Sequence, residues 1–254
     1  MSLKPDSPWA FFAVTIAFSW TFWGILFLQS NQDNFTPYGA LFYIGGLGPM
    51  LSALYLTYME SSLGETITLL KSTLDFKTLT LSSLTLIVVV STLPNILSVY
   101  LNKPPDEPYI TMNLSPNTAI PWMFFLFLVS IIEETGWRAY ALPRLLEQYT
   151  PLTASLILGT MWAVWHIPLF LIKGTWQHGL GFLTPMFFSY MLQLLPQSYL
   201  MTWVFRRTGS NPVSAVLHHH LVNMTGELLE VTQRADLHRF SIEIILSIIL
   251  LLLG

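Results

Sequence analysis

Apolar stretches of about twenty residues recur from one end of this chain to the other. That spacing restricts it to a membrane-spanning helical fold, because a helix needs about 20 apolar residues to cross a bilayer and must satisfy its own backbone there. Eight stretches qualify: Pro8 to Leu28, Tyr38 to Met59, Leu79 to Leu101, Ala119 to Leu142, Leu152 to Ile172, Leu180 to Phe205, Pro212 to Val231 and Phe240 to Leu253, the last being short. Charged residues make up only 10% of the sequence, against about 25% in a soluble domain. Connections are brief and punctuated by Pro, Asn, Asp and Gly, as in Asn31 to Pro37, Lys103 to Asn117 and Gly209 to Pro212, which leaves no room for a soluble domain. The expectation is a single all-α integral-membrane domain over residues 1–254, with about eight transmembrane helices around a polar cavity. Its motif-bearing core runs over residues 119–232.

Several function classes drop out on composition. The formal net charge is -3 and no basic stripe is present, so nucleic acid is not a partner. Cysteine is absent, which removes disulfides, thiolate catalysis and cysteine metal ligands. The first apolar stretch is too long for a signal-peptide core and lacks a small-residue cleavage site, so it reads as an uncleaved span. Ser61 to Phe76 carries mixed charge on a helical pattern and reads as a short amphipathic helix at the membrane surface. With Arg138 set aside, Lys4, Lys71, Lys77, Arg144, Arg206 and Arg207 fall on one side and Lys103, Lys173, Arg234 and Arg239 on the other, which puts both termini in the cytoplasm.

Polar residues inside the spans carry the functional signal. Glu133, Glu134 and Arg138 follow directly on the run from Ala119 to Ile132. Carboxylates at bilayer depth cost roughly 2.5 to 3.5 kcal/mol each on insertion scales, so they line a cavity, find a partner or do chemistry. On a helix Glu134 and Arg138 share a face at i, i+4, whereas Glu133 points about 100° away. One carboxylate can therefore hold the helix while the other works. In the fifth span Trp162 and His166 lie one turn apart, just before Pro168, and in the seventh His219 and Asn223 are similarly spaced, with His218 and His220 diverging to either side. Asn95, Gln193 and Gln197 form a weaker set suited to interhelical hydrogen bonding.

A carboxylate near a histidine can take a proton from water, while an imidazole N–H and an amide can stabilise an oxyanion. Together these fit amide hydrolysis by activated water, without a covalent nucleophile. Neither a G-x-S-x-G elbow nor an H-E-x-x-H helix is present. Glu133, His166 and His219 can also supply three ligands of a catalytic zinc site, with water in the fourth place. Glu133, Glu134 and Arg138 can equally be a structural ion-pair network. A non-proteolytic membrane protein that uses a polar core for ion or partner binding is the competing class.

The ordered set Glu133-Glu134-x-x-x-Arg138, Trp162-x-x-x-His166 and His219-x-x-x-Asn223 resembles the motifs of the CAAX-protease and bacteriocin-processing family of membrane endopeptidases, which includes the type II CAAX prenyl endopeptidases. The similarity runs from about Phe124 to Gly226. It implies an intramembrane, glutamate-dependent peptidase whose partner is a peptide or lipidated peptide reaching it from the bilayer, with no cofactor. The catalytic set would be Glu133 as general base, His166 beside it, and His219 with Asn223 as the oxyanion site. Glu134, Arg138 and Trp162 would be supporting residues. The sequence departs from the commoner pattern at Trp162, where Phe is usual, and at Ala139, where Gly often follows the arginine. A bacteriocin-immunity protein, a transporter or a scaffold would be the non-enzymatic counterpart.

Overall fold

The computed structural model describes residues 7–32, 35–102, 116–229 and 233–253. Lys4 and Lys103, used above for orientation, and most of the connection after Lys103 lie outside them. Every element among the described residues is helical: α1 (Pro8–Gln29), α2 (Ala40–Gly46), α3 (Gly48–Glu60), α4 (Leu63–Ser72), α5 (Leu81–Asn102), α6 (Pro116–Glu134), α7 (Leu142–Leu146), α8 (Pro151–His166), α9 (Trp176–Leu180), α10 (Pro185–Arg207), α11 (Pro212–Leu228) and α12 (Gln233–Leu253). Helix starts are written locally as a capping residue followed by proline. Ser7-Pro8, Thr150-Pro151, Thr184-Pro185 and Asn211-Pro212 open α1, α8, α10 and α11, and each capping oxygen accepts a backbone N–H of the first turn. Proline at the first helical position loses no bond that the helix would otherwise make.

Helices occupy all eight expected stretches, yet fewer of them pass as spans on length and composition. Pro8–Gln29, Leu81–Asn102, Asn117–Leu146 and Pro151–Phe170 are long and apolar enough to cross a membrane. The pair α2 and α3, bent by 49°, makes a fifth if taken as one broken span. Four or five helices among the described residues thus pass on length and composition alone, against about eight expected. The shortfall has a physical cause: α10 carries Gln193 and Gln197, α11 is only 17 residues long with three histidines and Asn223, and the first half of α12 carries Asp236, Arg239 and Glu243. These polar residues turn inward, while Ile244, Ile245, Ile248, Ile249 and Leu252 of α12 are exposed. The chain is an integral-membrane helical protein.

Between α3 and α5, α4 falls within the expected amphipathic stretch, and the 3-10 turn Phe76–Thr78 begins at its last residue. Leu63, Ile67, Leu70 and Leu74 are exposed on one helical face, the arrangement an interfacial helix presents to lipid.

An aromatic core fixes the half of the molecule built on α1, α3 and α8. Phe11, Phe12, Trp23, Trp137, Tyr140, Trp162 and Trp165 are buried together. Interhelical hydrogen bonds register it: Trp165 Nε1 donates to Ser19 Oγ at 2.7 Å, and that hydroxyl donates to the carbonyl of Gly45 at 2.7 Å. A second core joins α5, α10 and α12 through Ile87, Val90, Tyr199, Leu200, Val204 and Leu250. Small residues allow the closest approaches. A Cβ on Gly159 of α8 would sit 2.9 Å from the carbonyl oxygen of Leu194 on α10, so these two helices meet backbone to backbone.

Candidate active site

The α-helical ladder of α6 ends at Glu134 and gives way to a π-helical segment, Thr135–Ala141, that is wholly buried. Segments of this kind are rare and concentrate at functional sites. Gly136 lets the segment approach α3, because a Cβ there would fall 2.5 Å from the carbonyl oxygen of Pro49. The widened turn still leaves Arg138 facing Glu134, with Nη1 donating to Oε1 at 2.9 Å and both side chains fully buried. The guanidinium also lies 4.6 Å from the ring centre of Trp162, a cation–π contact.

The two carboxylates part company as their positions on the helix require. Glu134 Oε1 also faces Nδ1 of His219 on α11 at 2.8 Å. Glu133, 7% exposed, instead accepts the indole N–H of Trp162 on Oε2 at 2.9 Å. His166, at the end of α8 where the backbone tightens into the 3-10 turn Ile167–Phe170, directs Nδ1 to the carbonyl of Trp162 at 2.8 Å. A carbonyl only accepts, so Nδ1 carries the proton and Nε2 of the neutral ring is left with its lone pair. The rings of His219 and His166 lie 5.3 and 6.0 Å from that of Trp162.

Glu133, Glu134, Arg138, Trp162, His166 and His219 thus meet in one buried cluster drawn from α6, the π segment, α8 and α11. Among the three consecutive histidines, His219 is the one in it. His218 is buried elsewhere without a hydrogen-bond partner for Nδ1, and His220 packs against Phe127 at 5.4 Å. Asn223 stands one turn beyond His219, half-buried, and makes no side-chain hydrogen bond among the described residues. The cluster is closed: none of its side chains is more than 7% exposed. Two surface concavities, of about 530 and 450 Å³, lie at Trp203, Arg206 and Arg207 and at Ser30, Phe35 and Lys173.

Among the described residues no three His, Asp or Glu side chains are grouped so as to hold a metal ion. Glu133, His166 and His219 each turn a polar atom to a different protein partner. The weaker polar set ties helices together. Asn95 donates to the carbonyl of Val222 at 2.9 Å and to Thr225 Oγ1 at 2.6 Å, and accepts from Arg239 at 3.2 Å, while Arg239 also donates to Gln193 at 2.9 Å.

Sequence reasoning missed Tyr190, whose ring lies 5.5 Å from that of His166. Its spacing to Gln193 and Gln197 on one face of α10 is the signal that could have found it. It also missed Arg239, which reaches from α12 to Gln193 on that same face.

A family model described as type II CAAX prenyl endopeptidase Rce1-like matches residues 115–225. A protein of Methanococcus maripaludis, CAAX prenyl protease 2, is 32% identical over 116 residues, which cover 45% of this chain and 42% of that protein. The match thus spans under half the length of this curated relative. The family-model match contains every residue of the cluster and leaves out α1 to α5 and α12. Over residues 115–225 the chain is thus similar to the Rce1-like type II CAAX prenyl endopeptidases.

Proposed function

We propose that the chain is an intramembrane endopeptidase that hydrolyses a peptide bond in a membrane-borne, prenylated CAAX-type substrate by glutamate-activated water. The observation that carries this reading is the division of labour between the two carboxylates. Glu134 is tied through Oε1 to two cationic partners, Arg138 and His219, with its Oε2 fully buried, whereas Glu133 makes one hydrogen bond through Oε2 to a neutral indole and keeps Oε1 for a proton. The Rce1-like region supports the same substrate class.

In the reaction, water donates one O–H to Glu133 Oε1 and the other to the lone pair on His166 Nε2, which turns its own lone pair toward the substrate carbonyl. Glu133 takes the first proton as the C–O bond forms. The oxyanion receives N–H donors from His219 Nε2 and the Asn223 amide. Collapse of the tetrahedral intermediate breaks the C–N bond, and the proton held on Glu133 passes to the leaving amine. General-base assistance of this kind contributes about 10²–10⁴-fold, and an oxyanion donor about 10²–10³-fold.

Donation from Nε2 while Nδ1–H is held by Glu134 requires His219 as an imidazolium. Charge balance favours that form: with Glu133 and Glu134 ionised, Arg138 and a charged His219 bring the buried cluster to neutrality, which a closed apolar site needs. The split of basic residues supports cytoplasmic termini.

The test is cleavage of a fluorogenic farnesyl-CAAX peptide by the purified protein in detergent. Glu133→Ala and His166→Ala each abolish cleavage while the protein stays monodisperse. Full activity in either variant would sink the assignment, and an inert wild type would move the search to unprenylated peptides and to an ion- or partner-binding role.

A further inference from the structure

The water-activating pair does not stand on its own; both of its members hang from one residue. The indole N–H of Trp162 donates to Glu133 Oε2 at 2.9 Å, and the main-chain carbonyl of the same residue accepts Nδ1–H of His166 at 2.8 Å. Indole nitrogen is a donor only, so the direction of the first bond is fixed, and a carbonyl is an acceptor only, so the tautomer of His166 is fixed with it. Trp162 is itself immobilised. It is 2% exposed, carries the Arg138 guanidinium at 4.6 Å and meets the His219 ring edge-on at 5.3 Å.

We propose that Trp162 is the positioning residue of this site, its indole N–H holding Oε2 of Glu133 so that Oε1 faces the same water as Nε2 of His166. The proposal rests on the peptidase reading for its kinetic consequence, while the hydrogen bond itself can be examined apart from activity. A free glutamate rotates about three side-chain bonds, and an attacking water needs its base within about 2.6–3.2 Å. The bond to Trp162 removes that freedom without using the oxygen that works. Glu134 is held differently, since its Oε1 meets Arg138 and His219 and no indole faces its buried Oε2. Phenylalanine, the commoner residue of the resembling family at this position, would fill most of the same volume and keep the carbonyl for His166. It would lack the donor. This chain therefore orients its general base by a device that a phenylalanine-bearing relative has to supply otherwise.

Two arms test this. In the kinetic arm, Trp162→Phe retains the unfolding temperature of the wild type and its KM, and loses about tenfold or more in kcat, because the substrate-binding surface is kept while the base is set loose. A Trp162→Phe variant with undiminished kcat overturns the proposal. So does one in which kcat falls only together with the unfolding temperature, since that marks a packing role.

In the spectroscopic arm, the ultraviolet resonance Raman band of the indole N–H is taken as the difference between wild type and Trp162→Phe, which isolates this indole among the nine tryptophans. The same difference is then recorded in a Glu133→Leu background. A hydrogen-bonded band that becomes a free-indole band on loss of Glu133 supports the proposal, and a band indifferent to Glu133 overturns it. Should the wild type cleave no peptide at all, the peptidase reading fails, and this second arm still decides whether Trp162 holds Glu133.

Discussion

His219 Nδ1 and Glu134 Oε1 are 2.8 Å apart, and the same carboxylate oxygen accepts Arg138 Nη1 at 2.9 Å. One oxygen thus joins α11 to the π segment that follows α6. The arrangement makes Glu134 an anchor in two directions through Oε1, with Oε2 buried and making no hydrogen bond.

Removing one member leaves a buried charge alone. Arg138→Met should cost about 3–5 kcal/mol of stability, because Glu134 would keep only His219 to balance it. Combining it with Glu134→Gln should recover part of that loss, since no carboxylate is then stranded. Unfolding temperature in detergent decides the matter. Equal losses in the single and double variants would show that the pair acts through packing instead of charge.

The three adjacent histidines separate by role. His219→Ala should lower kcat by about 10²-fold or more, the loss expected for an oxyanion donor. His220→Ala, which removes a half-buried ring lying against Phe127, should stay within about threefold of wild type, since surface-side contacts of this kind are energetically small. Steady-state kinetics on the two purified variants checks both. A larger loss in His220→Ala would place the wrong imidazole in the site.

How much of this was legible beforehand follows from which forces act locally. Helical periodicity put Glu133 and Glu134 on different faces and paired His219 with Asn223, because residues a turn apart share a face whatever lies around them. Proline after a capping residue marked the starts of α1 and α11. The indole bond to Glu133 was out of reach: it depends on where α8 docks against α6, a tertiary fact with no signal in spacing. The π segment was equally hidden, since Gly136 reads as a mild helix weakener until Pro49 is seen against it. The number of helices that pass as apolar spans falls below eight for a different reason. Length and apolarity identify helices that face lipid, whereas α10, α11 and α12 spend their polar residues inward on Asn95, Gln193, Arg239 and the histidine cluster.

The close approach at the π segment makes a steric prediction with its own control. Gly136→Ala should destabilise by about 1–3 kcal/mol and reduce activity, because its Cβ would press on a backbone carbonyl that cannot move aside. Gly46→Ala, in α2 with nothing within 4 Å of the new methyl, should be neutral or stabilising by up to about 1 kcal/mol, the helix propensity gained. Thermal unfolding of both variants would show the contrast. Tolerance of Gly136→Ala would mean that the π segment can shift away from α3.

Metal dependence is the remaining chemical branch, and the general-base reading predicts that there is none. A three-ligand zinc site needs Glu133, His166 and His219 to converge on one point at about 2.0–2.2 Å. Glu133 Oε2 faces Trp162, His219 Nδ1 faces Glu134 and His166 Nδ1 faces a main-chain carbonyl, which leaves Glu133 Oε1 and the two Nε2 atoms as the groups an ion would take. Peptide cleavage should nonetheless survive prolonged dialysis against a strong chelator within about twofold, and added zinc should not raise it, since activation of water by a carboxylate base needs no Lewis acid. Loss of activity on dialysis, restored by zinc, would require the free ring nitrogens of His166 and His219 to swing onto a common ion with Glu133 Oε1. Glu133 would then be a ligand, and the proton acceptor would have to be sought elsewhere.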